Sequence, residues 1–312
     1  MPRVSIVIPV YNGANYLAEA IDSAVAQAEA EVLVVDDGST DATPSIARSY
    51  GDRIRYIPKP NGGVSSALNR GIAEMRGDYF CWLSHDDRYL PQKTARQLAF
   101  FDAHPEARIA ACDFEIIDGG GSVVDVYRAP RSVVRSGFEL LETWVFGCAL
   151  MIHRSCFDVP FNESNRTTQD LEMWMQILSR NAIHWVPEVL CQLREHAQQG
   201  SRTESRYGRD KDELFARTIE RYDIAFFDPG ASTPPTRAAA YRRLAEDAMR
   251  RASWRGATLA LARAWSEQPS AWLAMARALG PRGLTRMRNA RGFVAGKTRN
   301  ALRRLWSAAA MP

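Results

Sequence analysis

From Arg3 to Leu83, four apolar runs alternate with stretches in which apolar residues return every three or four positions. Arg3–Val10 (RVSIVIPV) is rich in β-branched residues and reads as a buried strand, with Pro9 near its end, where a missing amide is tolerated. Leu17, Ala20, Ile21, Ala24 and Val25 then share one helical face. Glu31–Ser39 (EVLVVDDGS) predicts a second strand and TPSIARSY a second helix. IRYIPK is a short third strand, and NGGVSSALNRGIAEM is a Gly-rich turn running into a third helix. Tyr79–Leu83 (YFCWL) is the fourth strand, and a further helix begins near Pro91. Strand–helix alternation with short connections predicts an α/β fold whose central sheet is mainly parallel, with helices on both faces.

Polar residues follow each of these strands. Tyr11-Asn12 comes after the first, Asp36-Asp37 after the second, Asn61-Gly62-Gly63 after the third, and Ser84-His85-Asp86-Asp87 after the fourth. Each alone also reads as a turn. Asp37-Gly38 suits a turn in which Ser39 or Thr40 caps the next helix and the helix dipole favours Asp41. Asn61–Gly63 suits a ligand-free loop, and Asp86-Asp87 a solvated turn before a helix. Together, at the C-terminal ends of consecutive parallel strands, they form the rim of one pocket. Adjacent carboxylates repel unless water, a donor or a cation intervenes. No G-x-G-x-x-G or G-x-x-x-x-G-K-[ST] follows the first strand, which argues against a dinucleotide site and a P-loop. An acid-lined pocket suits a ligand that arrives with its own cation, such as a nucleoside diphosphate with Mg²⁺ or Mn²⁺.

Charge divides the chain. The net charge of +4 combines residues 231–312, with 16 Lys+Arg and 3 Asp+Glu, and the remainder, with 24 and 33. The change falls after Pro229, Gly230, Pro234 and Pro235, so the predicted division is a domain over 1–228, a linker over 229–236 and a basic α-helical region over 237–312. Within that region Arg282–Trp306 mixes basic and apolar residues. It reads equally as a peripheral contact with an anionic membrane surface and as a solvated helix packed on its own domain. Nucleic acid is not expected, because the other part is acidic and carries no reading motif. At 312 residues and 46% hydrophobic, the chain can bury a sizeable core. Five scattered cysteines without metal spacing, a short N-terminal apolar run and no uncharged stretch of ~20 residues favour a cytoplasmic location, with the inner face of the membrane as the alternative.

Four segments in order, SIVIPVYNGANYLAEAIDSAVAQ, VLVVDDGSTDAT, NGGVSSALNRGIAEMRGDYFCWLSHDD and QDLEMWMQI, resemble the family 2 glycosyltransferases of GT-A fold, over Val4 to Ser201. The resemblance implies inverting transfer of a sugar from a nucleoside-diphosphate sugar, UDP-linked, to a hydroxyl of a glycan or lipid-linked acceptor in surface polysaccharide biosynthesis. It implies that Pro9, Tyr11 and Asn12 line the nucleotide pocket. Asp37 would bond the base, with Asp36 and Ser39 supporting the loop. Ser84 stands where the family's Asp-x-Asp-Asp element has its first acid, and it would contact the ribose. Asp86 would hold Mg²⁺ or Mn²⁺ with Asp87 beside it. Asp170 would be the general base, with Gln169 in place of the family's preceding Glu. Asn61, Gly63 and Gly147 would lie near donor and acceptor. His196 is either a metal ligand or a hydrogen-bonded loop residue. His85 reads as a spacer, and His104, His153 and His184 as structural or surface residues.

Phe146–Arg154 (FGCALMIHR) predicts a strand beneath the acceptor, with Gly147 allowing close approach. By spacing alone, Thr167 and Asp170 also resemble a capping box. Ser84 and Gln169 leave a second reading open, a catalytically degenerate GT-A scaffold or nucleotide-binding module. A nucleotidyltransferase would need a Gly-rich triphosphate loop after the first strand, which is missing.

Overall fold

β1 (Val4–Val10) is buried along its whole length because parallel strands flank both its edges, β2 (Ala30–Asp36) on one side and β4 (Tyr79–Trp82) on the other. The computed structural model describes residues 2–199, 207–251 and 253–268. β3 (Arg55–Pro58) extends the parallel set beyond β2, giving the order β3-β2-β1-β4. The chain steps outward from β1 and then returns to lay β4 on its other side. That reversal leaves a crevice between the C-terminal ends of β1 and β4, where open α/β sheets bind ligands.

The connecting helices are α1 (Leu17–Val25), α2 (Thr43–Ser49) and α3 (Val64–Glu74). Leu17, Ala20, Ile21 and Ala24 form the buried face of α1. At Gly71 α3 meets β1 so closely that an added Cβ would lie 2.3 Å from Val7 Cγ1. Gly71→Ala is therefore expected to cost about 1–3 kcal/mol of stability through overpacking. Urea unfolding checks this, with a lowered midpoint and an unchanged slope.

The sheet continues through β5 (Arg88–Tyr89), α4 (Lys93–Ala103), β6 (Ile109–Ile117), β7 (Val123–Tyr127), β8 (Val133–Val134), α5 (Gly137–Glu142), β9 (Met151–His153), α6 (Gln169–Leu178) and β10 (Ile183–Arg194). β10 is parallel to β6, but β9 lies antiparallel between β4 and β6. The parallel arrangement thus holds for the first four strands, while the whole sheet is mixed. Phe146–Arg154 is not one strand. It makes a 3-10 turn at Gly147–Ala149, the three-residue β9, and a second 3-10 turn at Arg154–Cys156.

The chain divides into two compact units, Met1–Arg135 with Leu140–Glu204, and Ser136–Glu139 with Ser205–Pro312. The division near Glu204 lies upstream of the expected linker at 229–236. Pro234 and Pro235 open α9 (Pro234–Arg250) at its first two positions, where no amide partner is needed, and Thr233 and Thr236 close a capping box around them. The second unit also contains α7 (Tyr207–Arg221), α8 (Ile224–Phe227) and α10 (Trp254–Glu267). The C-terminal region is therefore helical as far as Glu267, and Arg282–Trp306 lies outside the described residues. No described helix is long and apolar enough to cross a membrane.

Candidate active site at the crevice

The loops after β1 and β2 are stitched together. The Asn12 amide donates to Ser39 Oγ at 2.9 Å, and Asn12 Oδ1 accepts from the Thr40 amide at 2.8 Å. Asn12 holds a positive φ of 50°, a conformation asparagine tolerates. Asp41 takes the amides of Ala14 and Thr43. Ser39 and Thr40 therefore do not cap α2, whose N-cap is Ala42 without a side-chain bond. Tyr11 is half exposed at the rim, but Pro9 is buried inside the sheet. The Leu83 amide bonds Val7 O and the Asp37 amide bonds Val10 O, so odd residues of β1 turn their backbone groups toward β4. Pro9 lacks its amide on that side, beyond the last rung.

Asp36 and Asp37 are both buried. Asp36 accepts from the Ser39 amide at 2.8 Å and from Tyr56 Oη at 2.5 Å. Asp37 accepts from Lys59 Nζ at 2.5 Å and from the amides of Gly62 and Gly63 at 2.9 and 2.6 Å. Its carboxylate thus ties the Asn61–Gly63 loop to the end of β2. Gly63 carries a φ of +88°, and a Cβ there would lie 2.4 Å from Arg166 Nη1. A bare glycine seats the exposed Arg166 at the rim.

At the end of β4 the four polar residues diverge. Ser84 contacts Cys148 through its amide and hydroxyl, at 3.4 and 3.5 Å. The Cys148 thiol donates to Asp87 Oδ2 at 2.9 Å, and the Arg194 amide donates to Asp87 Oδ1 at 2.8 Å. Burial, followed by the neighbouring charge of Asp86, pushes the Asp87 carboxyl well above its ordinary value. His85 packs against Gly13, and burial holds its imidazole below the usual histidine value. Asp86 turns the other way. Its Oδ2 lies 3.0 Å from His196 Nε2, joining residues 110 positions apart.

Three aromatic rings bring α6 to the same edge. Trp82, at the end of β4, meets Phe161 edge to face, and Phe161 meets Trp174, one turn along α6 from Asp170. Ser65 Oγ and Asn69 Nδ2 bond the carbonyls of Asn165 and Phe161, fixing the approach to α6 on α3. Thr167 does not cap α6. The N-cap is Thr168, without a side-chain cap bond, and Asp170 Oδ1 takes the amide of Leu171 at 2.8 Å. Lost hydration pushes the Asp170 carboxyl above its ordinary value. Gln169 Oε1 is buried with no hydrogen-bond partner among the described residues. Gly147 does not open space for an acceptor, because the Trp82 ring fills the place its Cβ would take, at 2.6 Å.

The structure thus brings together Asp86, Asp87, Ser84 and His196, and ties Asn12, Ser39 and Asp36 into an adjoining rim. Cys148, Arg166 and Arg194 were not expected at the site. A charged residue two positions before His196 was the one sequence signal that pointed to Arg194. Among the described residues no group of three His, Cys, Asp or Glu side chains gathers to hold a metal. The Asp86–His196 pair nevertheless fits a divalent cation. A carboxylate oxygen and an imidazole nitrogen face each other, a donor set better matched to Mn²⁺ than to Mg²⁺, and the ligand's own oxygens and water would complete the shell.

Residues 5–149 match the family described as "Glycosyl transferase family 2". An uncharacterized glycosyltransferase of Rickettsia felis is 43% identical over 228 residues, 69% of this chain but 38% of the relative. One from Rickettsia typhi is 42% identical over 212 residues, 65% of this chain and 67% of the relative. The chain thus spans little more than a third of the first relative's length. In three dimensions it resembles S. aureus TarS 1–349 in complex with UDP, with a TM-score of 0.65 at 19% identity, covering 97% of this chain and 92% of that one. At that identity the likeness speaks for the fold, a GT-A glycosyltransferase fold. Family match, identity and fold agree with the crevice and its acids, and the chain belongs to glycosyltransferase family 2.

Proposed function

We propose that the chain is an inverting glycosyltransferase that takes a UDP-linked sugar and passes it to a hydroxyl of a glycan or lipid-linked acceptor in surface polysaccharide biosynthesis. The observation that carries this reading is the Asp86–His196 contact at the C-terminal end of β4. It joins two potential cation ligands from distant segments at the crevice where this fold takes nucleotides. The TarS structures with UDP and with UDP-GlcNAc support the choice of donor.

In this reading Tyr11, Asn12 and the loop held by Asp37 receive the nucleotide, and Ser84 offers its hydroxyl to the ribose. Asp86 and His196 would hold Mn²⁺ or Mg²⁺, which when bound would supply Lewis-acid stabilisation of charge on the leaving diphosphate. Asp170 removes the proton from the acceptor hydroxyl as that oxygen attacks the anomeric carbon from the face opposite the diphosphate. The product is inverted at that carbon, by the face logic of inverting hydrolases with an alcohol replacing water. Gln169 places a neutral amide beside the base and leaves its charge unopposed.

A base pushed upward by burial lies closer to a neutral working pH. Kcat/KM is expected to fall as pH drops through the raised Asp170 value, so the acid limb of the profile lies above the ordinary carboxylate value of ~3.9. The sign for stability is opposite. The contribution is complete below the unfolded value and is lost as pH rises through the folded one. A pH series of initial rates checks the limb, and a limb at or below ~3.9 counts against Asp170 as base.

The direct test is titration of the full chain with UDP, GDP and dTDP, with and without Mn²⁺, followed by assay of nucleotide release from the matching sugars. Metal-dependent UDP binding with turnover supports the proposal. Binding without turnover favours the non-catalytic scaffold, and no nucleotide binding overturns both.

A further inference from the structure

The Arg194 side chain is 1% exposed, yet it stands at the end of β10 where a charged residue would ordinarily reach water. Its guanidinium is held on every side. Nε donates to the carbonyl of Asp86 at 2.9 Å, Nη1 to the carbonyl of Gly119 at 3.2 Å, and Nη2 to Glu19 Oε2 at 2.7 Å. Beneath it lies the Tyr16 ring, 4.3 Å from guanidinium carbon to centroid. The same residue donates its amide to Asp87 Oδ1 at 2.8 Å. One arginine therefore holds the peptide of one acid and the carboxylate of the next.

The far face of this arrangement is His196. Its ring meets Tyr16 edge-on at 5.1 Å, so Tyr16 touches both Arg194 and the residue paired with Asp86. We infer that Arg194 is a positioning residue: by fixing the Asp86 peptide and the Tyr16 ring, it sets the carboxylate and imidazole at the separation at which they share a divalent cation. A planar guanidinium suits this task because its donors diverge in fixed directions, and a lysine at the same place could satisfy only part of the set. Glu19 completes the device by balancing the buried charge, and it also receives Arg88 Nη1 at 3.2 Å. The inference rests on the metal-assisted reading above and deepens it.

The test is titration of the full chain with UDP at zero and graded Mn²⁺, alongside thermal unfolding of each variant. Arg194→Lys and Arg194→Met are expected to raise the Mn²⁺ concentration at half-effect at least tenfold. UDP affinity without metal should change less than twofold. General loosening of the site would weaken both together, so the split between them separates positioning from a merely structural role. A folded Arg194→Met with the wild-type Mn²⁺ requirement overturns the inference, as does an equal loss of both affinities. If neither Arg194 variant folds, Glu19→Gln leaves the arginine in place with its charge unbalanced. A severalfold rise in the Mn²⁺ requirement is then expected, and no change overturns the inference. Wild-type UDP binding indifferent to Mn²⁺ overturns the metal reading and this inference with it. Metal dependence shared alike by wild type and the variants overturns the inference alone.

Discussion

Asp170→Asn is expected to lower sugar transfer by about 10²–10⁴-fold while leaving UDP binding within about twofold, because it removes the one step in which a carboxylate must accept a proton. That loss corresponds to roughly 3–5 kcal/mol of transition-state stabilisation. The substitution is close in shape, and Asp170 Oδ1 accepts the adjacent Leu171 amide, a bond the asparagine oxygen can also make. Because burial already disfavours the Asp170 charge, removing it should leave the melting temperature unchanged or slightly higher. Kcat measured at saturating donor, with UDP titration beside it, distinguishes the outcomes. A variant that keeps more than about a tenth of wild-type kcat removes Asp170 from the role of base.

Asp86→Asn should have the second largest effect and a different signature. The amide can still meet His196 Nε2, which lies 3.0 Å from the present carboxylate oxygen, so the local fold should survive. What disappears is the negative oxygen a divalent cation requires. Loss of a partner one step removed from a metal typically costs ~10–100-fold in affinity, and loss of the ligand itself should cost at least that. The Mn²⁺-dependent gain in UDP binding should therefore vanish, with metal-free binding unchanged. If Mn²⁺ still strengthens UDP binding to Asp86→Asn, the cation is held elsewhere.

β1, β2 and β4 were legible because parallel strands covered on both faces are largely apolar, while the short β3 is only partly buried. The same apolarity misled at Phe146–Arg154. A buried 3-10 turn and a buried strand are equally apolar, and nothing in the pattern separates Gly147–Ala149 from β9. Gly147 suggested room for a ligand, but a glycine also marks where a neighbour is bulky, here Trp82. The acids were found by position, and their partners were not. Asp37 receives three donors from the loop after β3, 22 to 26 positions away, and Asp87 receives a thiol and an amide from residues 61 and 107 positions away. Arg194 left little local trace, since its burial arises from α1, the turn at Gly119 and the end of β4 meeting around it. α2 is capped at Ala42 because Ser39 Oγ instead accepts the Asn12 amide, and α6 is capped at Thr168, one residue beyond the expected Thr167.

The long reach of the Asp86–His196 contact also orders events during synthesis. Residues 5–149, the stretch shared with the family, contain Asp86 but neither Asp170 nor His196. A nascent chain of that length has the β1–β4 crevice without the proposed base or the imidazole. Contacts this distant in sequence close late and slowly. Catalytic competence should therefore emerge only once β10 has left the ribosome and paired with β6, and a product truncated before residue 169 should be inert even where it folds.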